Sequence, residues 1–310
     1  MAKLASGSEL RSLSATTERS FTVFGTRTVA NRIEPGLHIV ATPIGNLGDV
    51  TVRALRTLAG VDAILAEDTR ISRRLLSHYL IDTPLIQYHE HNAAEVRPRI
   101  LSRLAEGQSY ALISDAGTPL ISDPGYKLVV GCLAAGICLR SLPGSSAVLA
   151  ALTIAGLPTD RFFFEGFLPQ KSTARRVRAN ALARIPATLV FYEAPRRLAG
   201  ALADLAVEFG PRPAAVVREL TKMFEETRRG DLDELAAHYS AAESIRGEIV
   251  IVVGPPSFAP TVVGDELDLE IRAALADRST KDAAAAVAAR TGLPRREVYA
   301  RALRLARERP

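Results

Sequence analysis

Residues 37–49 read LHIVATPIGNLGD, and this stretch decides the class of fold. The run Leu37–Thr42 is apolar and short, which is typical of a buried strand. A turn with two glycines and a proline follows, and the pattern of Thr51–Leu58 indicates a helix. Such a strand-to-helix turn lets the backbone approach a ligand closely, although many turns of this kind are merely structural.

The alternation of strand and helix continues along most of the chain, which predicts an α/β fold with a largely parallel sheet. Gly156-Leu157-Pro158 marks the joint between two lobes. The predicted organisation is a flexible extension over 1–35 with a short strand around Phe21–Phe24, a first lobe over 36–156, a second lobe over 157–254, a linker over 255–264 and a helical tail over 265–310.

The tail carries signals for short helices joined by a tight turn. Ser279 and Asp282 form a capping box before the helix Thr280–Arg290, Gly292 ends that helix, and Pro294 begins the next. Both a helix-turn-helix and a plain helical hairpin packed on the body fit this pattern.

Composition excludes several classes of protein. The chain of 310 residues has only two cysteines, which excludes a disulfide-rich scaffold and a cysteine-based zinc finger. No run approaches the ~18 apolar residues of a membrane span, and the first residues lack the apolar segment of a secretory signal. We therefore expect a cytoplasmic protein that binds no membrane.

Positive charge is concentrated in two segments, although the net charge is only +5. Residues 170–197 contain seven basic residues against one acidic residue, and residues 290–310 contain seven against two. Charge runs are often solvated helix faces, but this asymmetry favours a polyanionic partner such as RNA.

Two further loops leave strands at their carboxyl ends. Residues 114–125 read SDAGTPLISDPG, which is long for a connection between a strand and a helix. Residues 142–147 read LPGSSA, and free amides at a helix start suit an anionic or hydroxyl-bearing ligand. Ligands of open α/β sheets bind at the carboxyl ends of strands, so we expect these two loops and the turn after Thr42 to converge on one crevice.

Four segments together resemble the RsmI family of bacterial methyltransferases: residues 39–49, Ala66–Arg70, Ser114–Gly125 and Phe191–Arg197. The resemblance extends from about Leu37 through the tail. It implies the two-lobed fold of the tetrapyrrole methylase superfamily, with S-adenosylmethionine between the lobes, and a homodimer. It further implies methylation of a cytidine 2′-hydroxyl in the decoding centre of the 16S RNA of the small ribosomal subunit.

The resemblance also suggests which residues contact the cofactor. Gly117-Thr118-Pro119 is similar to the superfamily's Gly-Asp-Pro loop with Thr118 in place of the acid, so Asp115 is the substitute carboxylate. The full set of expected cofactor contacts is Asp115, Gly117, Thr118, Pro119, Ser146, Ala147, Tyr192, Leu220 and Glu248.

A ribose hydroxyl is a poor nucleophile while protonated, so an acceptor is needed beside the cofactor. The candidates for catalysis are Glu67, Asp68 and Glu193, although Asp68 also suits a helix cap beside a solvated Arg70. The expected substrate contacts are Asn46, Arg70, His89, Asn92, Arg196 and Arg197. His89 and His91 share a face, but no third ligand stands at a recognisable spacing, so no metal is expected.

Two other functions fit parts of the sequence. A corrin or porphyrin C-methylase would share the fold but does not call for a basic helical tail. A helix-turn-helix protein without catalytic activity would bind nucleic acid but leaves the three converging loops unexplained.

Overall fold

The computed structural model describes residues 18–256, 265–291 and 293–307. The described strands are β1 Ser20–Val23, β2 Thr26–Val29, β3 Gly36–Val40, β4 Ala63–Ala66, β5 Leu85–Gln87, β6 Ser109–Leu112, β7 Leu139–Leu142, β8 Phe162–Phe167, β9 Thr188–Glu193, β10 Pro213–Arg218, β11 Glu226–Asp231 and β12 Ile249–Val253. The helices are α1 Val52–Gly60, α2 Thr69–His78, α3 Ala93–Ala105, α4 Tyr126–Ala134, α5 Ala147–Ala155, α6 Ser172–Leu182, α7 Leu198–Phe209, α8 Leu232–Ser240, α9 Asp265–Leu275, α10 Thr280–Thr291 and α11 Arg295–Arg307.

The first sheet is parallel throughout, in the order β5-β4-β6-β3-β7. Its central strands β4 and β6 are completely buried, which explains their continuous apolar sequence. All five strands point the same way, so the loops that follow them leave from a single edge. The prediction of an α/β lobe with a parallel sheet is confirmed here.

The second sheet has the order β11-β10-β12-β9-β8, and only β8 and β9 run parallel. The expectation of a largely parallel sheet is therefore wrong for this lobe. A tight connection after β10 returns as the antiparallel edge strand β11, and β12 inserts between β10 and β9. The sequence analysis missed β11 because its residues, ETRRGD, show no apolar alternation.

Helix α5 packs on the second sheet, although it lies before the predicted joint. Val148, Leu152 and Ala155 share a buried cluster with Val190, Val250 and other residues of that sheet. The Arg229 guanidinium on β11 donates to the carbonyl of Ala155 at 3.1 Å, at the end of the helix. The boundary between the lobes therefore falls before α5, and the predicted lobe boundary at 156 is corrected.

An N-terminal hairpin of β1 and β2 packs against the first lobe. Phe21 is 1% exposed and belongs to the same buried cluster as Leu55 and Leu58 of α1. The Thr22 amide donates to the carbonyl of Tyr79 at 2.8 Å. The prediction of a flexible extension over 1–35 is thus wrong for residues 20–29, apart from the strand expected at Phe21–Phe24. Residues 1–17 lie outside the described residues.

Because Phe21 is fully buried, Phe21→Ala is expected to lower the free energy of unfolding by about 3–5 kcal/mol. Phe24, at the hairpin tip, is 97% exposed, so Phe24→Ala is the matched control and is expected to change stability by less than about 0.5 kcal/mol. Urea unfolding of both variants measures the difference. Equal stability of the two variants would contradict the docking of the hairpin.

The three tail helices enclose a small core of their own, which includes Ile271, Val287, Val298 and Leu305. The Asp282 amide donates to Ser279 Oγ at 3.2 Å, and this hydroxyl donates to the Asp282 carboxylate at 2.7 Å. The predicted cap at Ser279 is confirmed, with a carboxylate contact that replaces the second half of the box. Gly292 and most of the expected linker 255–264 lie outside the described residues.

No helix in the described ranges is long and apolar enough to cross a membrane.

Candidate cofactor and substrate site

The three predicted loops meet at the carboxyl edge of the first sheet. Thr42 and Gly117 exchange backbone hydrogen bonds of 2.8 and 3.0 Å, although they belong to different loops. The Thr118 hydroxyl donates to the carbonyl of Ser145 at 3.1 Å, which joins the third loop to the second. The expected convergence is confirmed.

A cavity of about 400 Å³ opens beside this junction, between the two sheets. Eight of the nine expected cofactor residues line it, whereas Pro119 does not: Asp115, Gly117, Thr118, Ser146, Ala147, Tyr192, Leu220 and Glu248. The sequence analysis missed apolar wall residues such as Ile44, Phe167 and Val250, because nothing in a single sequence separates them from core residues.

The lining of the cavity fits a folded nucleoside with a charged tail. Its volume lies within the usual range of a small-molecule pocket. Phe164 and Phe167 flank Tyr192 with ring centroids 4.9 and 5.6 Å away, and these rings form an aromatic wall. Asp115 and Glu248 supply carboxylates that suit hydroxyl or ammonium groups.

Two residues of the second loop have structural reasons for their identity. Gly117 has a φ of +79°, and a Cβ at this position would come within 3.3 Å of Ile44, so a side chain is disfavoured here. Thr118 directs its hydroxyl to the carbonyl of Ser145, so the hydroxyl's proton holds two loops together. The departure from the superfamily's acidic residue is thereby explained as a loop contact.

Asp68 is engaged as a helix cap. Its carboxylate accepts from the Arg70 amide at 2.8 Å and from the Arg70 guanidinium at 3.1 and 2.7 Å. These contacts with Arg70 hold the pKa of Asp68 down at about 2. The capping alternative is what the structure shows, and it argues against Asp68 as the proton acceptor. The Asp68 amide in turn donates to Asp115 at 3.1 Å, which fixes that carboxylate at the cavity.

Glu193 is almost completely buried and is engaged with its neighbours. Its Oε1 accepts from the Ala194 amide at 2.7 Å and lies 3.1 Å from Nε of Arg197. Burial raises the pKa of Glu193, against the opposing effect of these two partners. Arg197 also donates to the carbonyl of Leu168 at 2.5 Å. The pair therefore braces the wall of the cavity, which argues against catalysis by Glu193 and against a substrate contact by Arg197.

Glu67 stands at the end of β4 and is half-buried. Burial, followed by the negative charge of Asp115, raises the pKa of Glu67. His89 lies close enough to oppose this shift. Of the three predicted catalytic carboxylates, Glu67 is the one whose surroundings suit a proton acceptor near neutral pH.

The expected substrate residues lie outside the cavity lining. His89 and Asn92 close a turn, in which the His89 amide donates to the Asn92 side chain at 2.9 Å and Nδ1 of His89 accepts from the Asn92 amide at 3.2 Å. Asn46 caps a short turn through a 3.0 Å bond from the Gly48 amide. Arg70 and Arg196 are exposed. Within the described ranges there is no group of three side chains that could hold a metal ion.

Asp123 lines the cavity and was not selected from the sequence, although it lies in the quoted loop 114–125. Burial, and then the nearby charge of Glu67, raise the pKa of Asp123 to about 6. The available signal was the second aspartate of an unusually long loop.

Much of the basic segment 170–197 is paired with acids of neighbouring elements. Its ion pairs join Arg175 to Asp204, Arg176 to Glu208, Arg178 to Glu165 and Arg197 to Glu193. Its exposed residues without an acidic partner in the described part of the chain are Lys171, Arg184 and Arg196. The expectation of a continuous basic surface here is therefore reduced to these three residues.

Comparison with known proteins agrees with this architecture. Residues 36–236 match the family model of tetrapyrrole (corrin/porphyrin) methylases, and residues 263–306 match the RsmI C-terminal HTH domain. A solved uroporphyrin-III C-methyltransferase from Thermus thermophilus, complexed with S-adenyl homocysteine, is similar in fold with a TM-score of 0.50 at 22% identity, over 70% of this chain and 96% of that chain.

Two curated relatives are named ribosomal RNA small subunit methyltransferase I. The protein from Mesorhizobium japonicum is 50% identical over 277 residues, which cover 89% of this chain and 94% of the relative. The protein from Pseudomonas aeruginosa is 48% identical over 86% of this chain and 96% of the relative. Together with the cavity between two α/β lobes and the helical tail, these matches show that the chain belongs to the RsmI family of tetrapyrrole-methylase-fold methyltransferases.

Proposed function

We propose that the chain transfers the methyl group of S-adenosylmethionine to the 2′-hydroxyl of a cytidine in the decoding centre of 16S ribosomal RNA. The observation that carries this proposal is the cavity in which eight expected cofactor residues converge from both lobes. The nucleotide and the hydroxyl follow from the resemblance to the RsmI family. A cytoplasmic location follows from the ribosomal substrate.

The chain's main contribution to this reaction is alignment. When bound, S-adenosylmethionine supplies a methyl group on a sulfonium, so that an O–C bond forms as a C–S bond breaks and its electron pair remains on sulfur. The loops around Gly117 and Ser146 would hold the cofactor, with Asp115 and Glu248 available for its polar groups. Fixing a nucleophile in line with the methyl carbon is a large source of rate acceleration.

The tail supplies the clearest positive surface for RNA. Arg295 and Arg296, at the start of α11, are exposed and have no acidic partner among the residues that the structure describes. Arg290 and Arg301 are instead paired with Glu270 and Asp268 of α9, which stabilises the fold of the tail. Phosphate contacts by the free arginines would add affinity that depends on salt and little on sequence.

Assembled small subunits are expected to be methylated at least about tenfold more efficiently than a short RNA hairpin that carries the target cytidine. Free basic residues lie both on the tail and on the second lobe, and recognition of folded RNA depends on shape and on several separated contacts. Transfer of labelled methyl from S-adenosylmethionine to each RNA measures the ratio. Equal turnover on the hairpin would contradict the proposed mode of recognition, and no transfer to either RNA would contradict the function.

We also propose a homodimer, which the family resemblance implies. The exposed edge strand β8 supports it, because Phe162 and Phe163 are 44% and 36% exposed on an outer strand of the second sheet. Sedimentation equilibrium of the full chain measures the mass, and a monomer at micromolar concentration would contradict this proposal.

A further inference from the structure

Asp123 occupies a distinctive place in the cavity wall. It comes from the long loop after β6, whereas Tyr192, on the opposite side, comes from β9 of the second lobe. The side chain of Ser114 is hydrogen-bonded to Asp123, which orients its carboxyl group. Asp123 therefore presents an oxygen to the cavity at the junction of the two lobes.

The carboxyl group of Asp123 is surrounded by other titratable groups from three elements. Glu67 at the end of β4 and Asp115 in its own loop both act on it as negative charges. Tyr192 faces it from β9, and burial together with the charges of Asp123 and Glu248 raises the pKa of this phenol to about 12. Asp68 and His89 act on Glu67 and not directly on Asp123.

The backbone around Asp123 is held in a costly conformation. Leu120 and Ser122 have φ values of +72° and +65°, which are rare for residues with side chains, and Gly125 has +136°. Strain of this kind persists only where the surrounding structure imposes it, and it clusters at functional sites. The strained turn sets the direction in which Asp123 leaves the loop.

We propose that Asp123 is the catalytic base of the methyl transfer, with Glu67 as the positioning residue that keeps it basic. This inference rests on the proposed function. The 2′ O–H bond of the ribose breaks, and its proton goes to a carboxylate oxygen of Asp123 while the oxygen takes the methyl group. Deprotonation in water then restores the carboxylate.

The other carboxylates suit this role less well. The Asp68 and Glu193 oxygens are occupied by Arg70, Ala194 and Arg197. Asp115 accepts from the Asp68 amide. Glu67 is not part of the cavity lining, whereas Asp123 is. Among the described acids, Asp123 alone combines a place in the lining with a pKa near 6, the value that favours proton transfer close to neutral pH.

The test is a pH profile of single-turnover methylation, with labelled S-adenosylmethionine and unmodified small subunits. For the unaltered chain, the rate should fall as the pH decreases through about 6, because Asp123 then becomes protonated. Asp123→Asn should lower the rate by about 100-fold or more and abolish this acidic limb. Cofactor affinity, measured by calorimetry, should stay within about threefold, since the amide keeps the size of the side chain.

Glu67→Gln gives a readout that a structural role would not produce. Removing the negative charge of Glu67 lowers the pKa of Asp123, so the acidic limb should move to lower pH while the rate above pH 7 is largely kept. Asp82→Asn, which removes an exposed charge from the same lobe, is the control and should leave the profile unchanged.

The outcomes separate the inference from the function on which it rests. An acidic limb that persists in Asp123→Asn, or does not move in Glu67→Gln, overturns the inference while methylation by the unaltered chain upholds the function. Loss of cofactor affinity in Asp123→Asn with an unchanged limb in Glu67→Gln shows a binding role and also overturns it. Absence of methylation by the unaltered chain overturns the proposed function itself.

Discussion

Ser146→Trp is expected to weaken binding of S-adenosylmethionine by about 100-fold or more, which corresponds to roughly 2.8 kcal/mol. Ser146 lines the cavity of about 400 Å³ and begins α5, where the free amides of the helix start face the ligand site. An indole at this position would fill space that the cofactor needs. Calorimetric titration of the folded variant measures the loss.

Ser146 also caps α5, since its hydroxyl accepts from the Leu149 amide at 3.5 Å. Ser146→Ala removes this long bond without filling the cavity and is the matched control. It is expected to lower the free energy of unfolding by about 0.5–2 kcal/mol and to keep cofactor affinity within about threefold. Unchanged affinity in Ser146→Trp would place the cofactor elsewhere and refute the assignment of the site.

Deletion of residues 265–310 is expected to reduce the efficiency of RNA methylation by about 10- to 100-fold at physiological salt, because several phosphate contacts are lost. Cofactor affinity should change by less than about twofold, since no residue of the tail lines the cavity. The tail's own buried core indicates that the rest of the chain can remain folded without it. Affinity for small subunits at two salt concentrations measures the effect.

The double variant Arg295→Gln, Arg296→Gln tests the same surface without a deletion. Its salt dependence of RNA binding should fall by about two in slope, roughly one for each phosphate contact. Sedimentation of the truncated chain serves as the control, because a tail that mediates dimerisation would change the oligomeric state. Full RNA affinity after truncation would refute the nucleic-acid role of the tail.

Strong local patterns made much of the fold predictable. The strands β4, β6 and β12 are short apolar runs buried on both faces, so their identity follows from sequence alone. Strand β11 is polar because it is an edge strand, and the hairpin of β1 and β2 depends on one buried residue, Phe21. The packing of α5 on the second sheet is a tertiary choice that a pattern along the chain does not encode.

The site was predictable where it depends on loop position and less so where it depends on side-chain partners. Carboxyl ends of parallel strands must share an edge, which is why the contact between Thr42 and Gly117 could be anticipated. The roles of Asp68 and Glu193 depend on Arg70 and Arg197, which the fold brings within hydrogen-bonding or ion-pair distance. Residues such as Arg175 and Asp204 pair across 29 positions of sequence, so the loss of free charge in segment 170–197 was not visible beforehand.

Mapping of methylated riboses in small-subunit RNA tests the central claim most directly. RNA from cells that lack this chain is digested and analysed by mass spectrometry, beside RNA from cells complemented with the unaltered chain or with Ser146→Trp. The account predicts loss of one 2′-O-methyl group from a cytidine of the decoding centre, restored by the unaltered chain and not by Ser146→Trp. An unchanged set of methylated riboses in the cells that lack the chain would contradict it.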